Sequence, residues 1–145
     1  MASPQISMQG MTHKVMRNCL CINRKGRCHT MFIIGIDIAK RNHEAVIITE
    51  DGRIVRKAFS FRNNCTGYNL LLEQVRKQTR IKSQIVFAME STAHYWLALY
   101  ARLIKDGYTV MVLNPNQSHS LRELYIRKAK TDARDCLIIA DLVRF

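Results

Sequence analysis

The apolar positions follow two different periods. Met31–Asp37 (MFIIGID) is an almost unbroken apolar run and reads as a strand buried on both faces. Glu44–Thr49 (EAVIIT) is a second strand, and Glu50-Asp51-Gly52 is a tight-turn signal. From Ile54 to Phe61, Val55, Lys57, Phe59 and Phe61 alternate with Ile54, Arg56, Ala58 and Ser60, which gives a third strand. Short turns between these three strands predict an antiparallel meander. Residues 63–67 read as loop, and residues 68–79 as a helix with Tyr68, Leu71, Leu72 and Val75 on one face. Ser83–Met89 is a fourth strand. Residues 93–105 form the clearest helix, with Trp96, Leu99, Tyr100 and Leu103 at i, i+3, i+4 and i+7, closed by Gly107. Tyr108–Leu113 is a fifth strand, stopped at Asn114-Pro115. A helix is expected from Ser120, where Ser120-x-x-Glu123 fits a capping box, and a last one from Thr131 to the chain end.

The order β-β-β-α-β-α-β-α-α implies a mixed sheet covered by helices. A three-strand antiparallel meander plus two further strands is the order of the ribonuclease H-like superfold. The actin-like ATPase fold begins in a similar way. Its first-strand loop normally continues with glycine to wrap phosphate, however, and here Ala39-Lys40-Arg41 follows, with no later Gly-rich motif.

Charge then narrows the partner. Lys and Arg number 23 against 11 Asp and Glu, a net of +12 that favours a polyanion. Residues 1–30 carry Lys14, Arg17, Arg24, Lys25 and Arg27 and no acid. They show neither strand alternation nor a helical stripe, so they are expected to be a basic, disordered N-terminal extension. A second reading makes them translated upstream sequence, with the true start at Met31. The folded domain is expected over 31–145. Cys19-x-Cys21 with Cys28-His29 has zinc-binding residue types, but the spacing is looser than structural sites use. Five cysteines at irregular spacing suit reduced thiols and a cytosolic compartment. No apolar run reaches the roughly 18 residues of a membrane helix.

With so few acids, their positions are informative. Asp37 closes the first strand and Glu90 the fourth, while Asp132 and Asp135 open the last helix three residues apart, on one face. The first and fourth strands are neighbours in a ribonuclease H-like sheet, so the four carboxylates are expected to meet at one end of it. Packed carboxylates repel and take up protons unless a hard cation holds them. Mg²⁺ is the natural occupant, and two such ions about 4 Å apart suit phosphoryl transfer. Each acid taken alone also has a structural reading: the aspartates complement a helix dipole, and Asp37 and Glu90 cap loops. Arg122, Arg127, Lys128, Lys130 and Arg134 surround the last acids and are candidate phosphate contacts, or else a solvated helix face. Tyr95 and Trp96 offer a stacking platform, though Trp96 also falls on the apolar stripe. His94 and His119 are candidates for proton transfer, with a structural role as the plainer reading.

The ordered segments Ile34-Gly35-Ile36-Asp37-Ile38-Ala39-Lys40, Met89-Glu90-Ser91-Thr92, Val112-Leu113-Asn114-Pro115 and Lys130-Thr131-Asp132-Ala133-Arg134-Asp135 resemble the N-terminal domain of the IS110-type (DEDD) transposases. The resemblance covers about residues 31–145. It implies a RuvC-like domain in which Asp37, Glu90, Asp132 and Asp135 bind two Mg²⁺ or Mn²⁺ ions. It also implies DNA transposition and recombination, oligomers in full-length members, a structured guide RNA in some of them, and a bacterial, nucleoid-associated setting. Two departures are local: Ala93 stands where the family often has Gly, and Cys136 where Ala is usual. A third is length, since family members continue into a domain that carries a serine nucleophile. Ser91, Ser118 and Ser120 lack that context. The expectation is a truncated transposase, with a non-catalytic nucleic-acid-binding fragment as the alternative.

Overall fold

A computed structural model describes residues 30–116 and 134–144. The helix expected from Ser120 and the N-terminal extension lie outside the described residues. The elements are β1 (Phe32–Asp37), β2 (Asn42–Thr49), β3 (Ile54–Arg62), α1 (Cys65–Arg76), β4 (Ile85–Glu90), α2 (Trp96–Lys105), β5 (Thr109–Leu113) and α3 (Arg134–Arg144). They form one five-stranded sheet in the order β3-β2-β1-β4-β5. β1–β2 and β2–β3 are antiparallel; β1–β4 and β4–β5 are parallel. The expected meander and mixed, ribonuclease H-like sheet are both present.

Side chains alternate across a strand, so each strand feeds two cores. On one face Ile34, Ile36, Ile47, Phe87 and Met89 pack under α1 and α2, which contribute Leu71, Leu72, Leu99 and Leu103. On the other face Ile33, Val46, Ile48 and Ala88 pack under α3, through Cys136, Ile139, Ala140 and Val143. Every residue of β4 is buried, as expected of a central strand covered on both faces. At the sheet edge β3 is half-exposed and carries Arg56, Lys57 and Arg62, charges that discourage edge-to-edge pairing.

One contact sets how closely α3 approaches. A Cβ on Gly35 would lie 2.0 Å from the Cys136 carbonyl oxygen and 2.7 Å from Ala140 Cβ. Only glycine lets the helix backbone rest on β1 at this point.

Several boundaries differ from the sequence reading. α1 begins at Cys65 rather than 68, and the Asn64 side chain caps it by accepting from the Gly67 N–H at 2.9 Å. Gly67 had marked a loop, yet it sits in the first helical turn because a Cβ there would come within 1.8 Å of the Arg62 carbonyl oxygen. β4 starts later, after a 3₁₀ turn at Lys82–Gln84. α2 starts at Trp96, since Ala93 adopts φ of 51° and breaks the helix that periodicity extends back to 93. Trp96 is half-buried and packs against the α1/α2 core, which is the core role its stripe implied.

Two outcomes follow from these backbone positions. Gly35→Ala should destabilise the chain by about 3 kcal/mol or more, because helix and strand must separate to admit the methyl, with urea unfolding as the measurement. Ala93→Gly should raise stability by roughly 0.5 kcal/mol, since relief of a left-handed alanine outweighs the added freedom of the unfolded chain. A lower melting temperature for that variant would contradict this account of residue 93.

Candidate nuclease-like site

β1 and β4 run parallel with Ile36 beside Met89, which places Asp37 and Glu90 at adjacent strand ends. Counting alternately from Gly35 and Ala88, which face α3, puts both carboxylates on the α3 side of the sheet. Asp37 is half-buried, whereas Glu90 is only 4% exposed and accepts a 3.3 Å hydrogen bond from Thr92 Oγ1. Ser91 continues the pairing to β5: its N–H donates to the Leu113 carbonyl at 3.0 Å and its hydroxyl donates to the same oxygen at 3.3 Å.

Asp135 lies in the first turn of α3, which also rests on β1. The helix start therefore falls near the strand-end acids. Burial, followed by the negative charges of Glu44 and Asp37, pushes the Cys136 thiol up to about 12. Electrostatically, residue 136 thus senses the carboxylates that its neighbour Asp135 was expected to join. Asp132, Arg122, Arg127, Lys128 and Lys130 lie outside the described residues, as do His119, Cys19, Cys21, Cys28 and His29. Arg134 is the first residue of α3. His94 is exposed, with its ring 4.5 Å from that of Tyr95.

Sequence reasoning missed a further acid at this end. Glu44 pairs directly with Asp37 across the β1–β2 ladder, on the same face. Like charges directly opposite one another destabilise a strand pair. Glu44, Asp37 and Glu90 thus form an acidic row over three adjacent strands, β2, β1 and β4. The oxygen-only donor set of this row matches what Mg²⁺ or Mn²⁺ prefers. Among the described residues, however, no three His, Cys, Asp or Glu side chains converge tightly enough to make a metal cage. The signal for Glu44 was its register: it is the first residue of an alternating run whose next same-face residues are Val46 and Ile48.

His43, adjacent in sequence, points to the opposite face and is 1% exposed. Its Nδ1 accepts from the Ala39 N–H at 3.1 Å, and the ring meets Phe61 edge-on at 5.2 Å. Its Nε2 has no hydrogen-bond partner among the described residues. Burial holds its pKa below the usual value of 6.5, partly opposed by the Asn63 side chain.

A mixed sheet of this order, with carboxylates ending its two middle parallel strands and a helix laid across them, defines a ribonuclease H-like domain. Solved structures agree on the fold. Thermus thermophilus RuvC in complex with a Holliday junction substrate superposes with a TM-score of 0.54 at 14% identity, over 77% of this chain and 91% of that one. The family model of the DEDD IS110 transposases, described as transposase, matches residues 34–145. The chain belongs to this family. Its curated relatives include the pilin gene-inverting protein of Moraxella lacunata, 29% identical over 107 residues, and the mini-circle putative transposase for IS117 of Streptomyces coelicolor, 27% identical over 111. The matches cover 74% and 76% of this chain but only 32% and 26% of those proteins. Among the described residues no helix is long and apolar enough to cross a membrane.

His43 supplies a pH test. Its folded pKa lies below its unfolded value, so its contribution to stability is present above about pH 6.5 and is lost as pH falls through the folded value. The unfolding free energy should therefore fall between pH 7 and pH 5. His43→Gln, which does not titrate, should make that fall shallower, as read by urea melts at both pH values. An unchanged slope would assign the fall to other groups.

Proposed function

We propose that this chain is the metal-dependent phosphoryl-transfer domain of a DNA transposition enzyme, with Asp37, Glu90, Asp132 and Asp135 as the ligands of two Mg²⁺ or Mn²⁺ ions. The observation that carries the reading is the placement of Asp37 and Glu90 side by side at the ends of β1 and β4, facing the helix that bears Asp135. Divalent ions held there would neutralise charge on a reacting phosphodiester. The protein's own part is to fix the oxygen donors. Strand pairing sets Asp37 against Glu90, and the Gly35 contact sets how near Asp135 comes. Arg122, Arg127, Lys128, Lys130 and Arg134 would hold the nucleic-acid backbone beside them. The named activities of the relatives, gene inversion and transposition, favour DNA as the substrate. In this reading a serine-bearing domain completes the enzyme, a guide RNA is a further partner, and the assembly is oligomeric.

The ligand role can be measured without turnover. Mn²⁺ should raise the unfolding free energy of the parent chain by about 2.7 kcal/mol at 100 times its dissociation constant. Asp37→Asn or Glu90→Gln should abolish most of that gain. The gain should also shrink as pH falls toward 5, because carboxylates must be deprotonated to hold the ion. A parent chain that gains nothing from Mn²⁺ or Mg²⁺, even with DNA present, would leave the non-catalytic nucleic-acid-binding reading in its place.

A further inference from the structure

A second polar surface lies at the same end of the sheet, on the face away from α3. It starts three residues past Asp37. Lys40, Arg41 and Arg62 line an open cleft of about 450 Å³ together with Asn42, Asn63 and Asn64, and with no acid. The three bases are exposed, and among the described residues none has an acidic partner. Two loops are tied together to build this ledge. The Asn63 N–H donates to the Arg41 carbonyl at 2.8 Å, and Asn63 Nδ2 donates to the Lys40 carbonyl at 3.4 Å. Gly67 and the Asn64 cap then fix the ledge to α1.

The ledge runs into a second cleft of about 390 Å³ that shares Arg62, Asn63 and Asn64. There the walls turn apolar, with Phe61, Ala98, Leu99 and Ala101, while Lys105 and Arg102 stand at the rim. Lys105 likewise lacks an acidic partner among the described residues, whereas the Arg102 guanidinium lies 5.0 Å over the Tyr68 ring and pairs with Asp106 at 3.5 Å. The buried His43 ring also lines this cleft.

We infer that these joined clefts hold one unpaired nucleic-acid strand, with its phosphates along Lys40, Arg41 and Arg62 and a base in the apolar part beneath Arg102 and Lys105. A run of cations without counter-ions among the described residues suits phosphodiesters, and an apolar recess bordered by an arginine plane suits an unstacked base. A duplex keeps its bases stacked inside and has none to offer the recess. The strand would leave the ledge at Lys40 and pass over the end of β1 toward Asp37. The inference rests on the nucleic-acid reading of the acidic site and adds a strand-binding surface to it on the opposite face.

Fluorescence anisotropy on the full chain tests it, with labelled oligothymidylate, oligouridylate and a DNA duplex, all of the same length. Reversing Lys40, Arg41 and Arg62 to Glu should weaken single-strand binding at least ~10-fold and make the log–log salt slope shallower by about 2, roughly 0.7 for each lost phosphate. Reversing Lys57, Arg76 and Arg80 to Glu removes the same charge from exposed positions outside both clefts and should cost under ~3-fold. Ala98→Trp, which fills the apolar recess from an exposed helical position, should weaken single strands about 10-fold and leave the duplex unchanged. The ratio between the two single-stranded probes reports whether DNA or RNA is preferred. Equal loss from both charge reversals, full affinity in the cleft reversal, tighter binding of duplex than of single strand, or no binding by the parent chain each overturns the inference. Mn²⁺ stabilisation is read separately on the same proteins. A failed cleft test with that stabilisation intact therefore removes this surface and leaves the metal site standing.

Discussion

α3 rests on Gly35 of β1 with no room for a methyl group between them, and the geometry of the acidic end depends on it. Helices usually sit off a sheet by the depth of two side chains. Here one of the two is missing, and the other is small: Ala140 on α3 faces a strand position with no Cβ. The helix backbone, at the Cys136 carbonyl, lies where a side chain would otherwise stand. Two residues after Gly35 the same face of β1 presents Asp37, and one residue before Cys136 the helix presents Asp135. Close packing that excludes a methyl group is thus what brings a helix start to a strand end. Packing of this kind is strongly position-dependent, because well-packed interiors relax little around added volume.

The electrostatics of that end follow from the same packing. Burying Cys136 among carboxylates strongly disfavours its thiolate, so it behaves as a small apolar residue and not as a nucleophile. An alanine there, the usual family residue, would fill the same role. The Asp37–Glu44 pair is harder to explain on structural grounds alone. Two acids face one another across a ladder, with a third at the next strand end, a juxtaposition of like charges that strand pairing by itself does not favour. None of the bases on the opposite ledge is used to neutralise them. Among the described residues, Asp37, Glu44 and Glu90 lie toward the α3 face, and Lys40, Arg41 and Arg62 line the cleft on the other.

Much of this was legible from single residues and their periods. Five strands, the meander and the strand-end positions of Asp37 and Glu90 follow from apolar runs bounded by turn residues, because local alternation and burial agree there. What could not be read depended on distance in space. The start of α1 was hidden because Gly67 is a loop signal locally, whereas its reason is the Arg62 carbonyl pressed against it. Ala93 interrupts a helical stripe that is continuous in sequence, and the family's usual glycine at that position is the hint that the backbone turns there. Glu44 and the cationic ledge escaped for a shared reason. The partner of Glu44 is fixed by the β1–β2 register, and the ledge exists only because residues 40–41 meet residues 63–64 through backbone hydrogen bonds.

That register carries more of the function than any one side chain. Along β2, His43 faces the α1/α2 core beside the apolar cleft and Glu44 faces α3 beside the acids. A slip of one residue would exchange them, placing an imidazole against Asp37 and a carboxylate among Phe61 and the cleft wall, while every apolar residue of the strand changed layers. The slip is blocked by Ala45, Val46, Ile47 and Ile48, which are buried on both faces, and by the Gly52 turn at φ of 86° that fixes how β2 hands over to β3. The apolar half of β2 therefore specifies the polar half. Four aliphatic side chains thus fix which side of the sheet receives the Glu44 carboxylate and which the His43 imidazole.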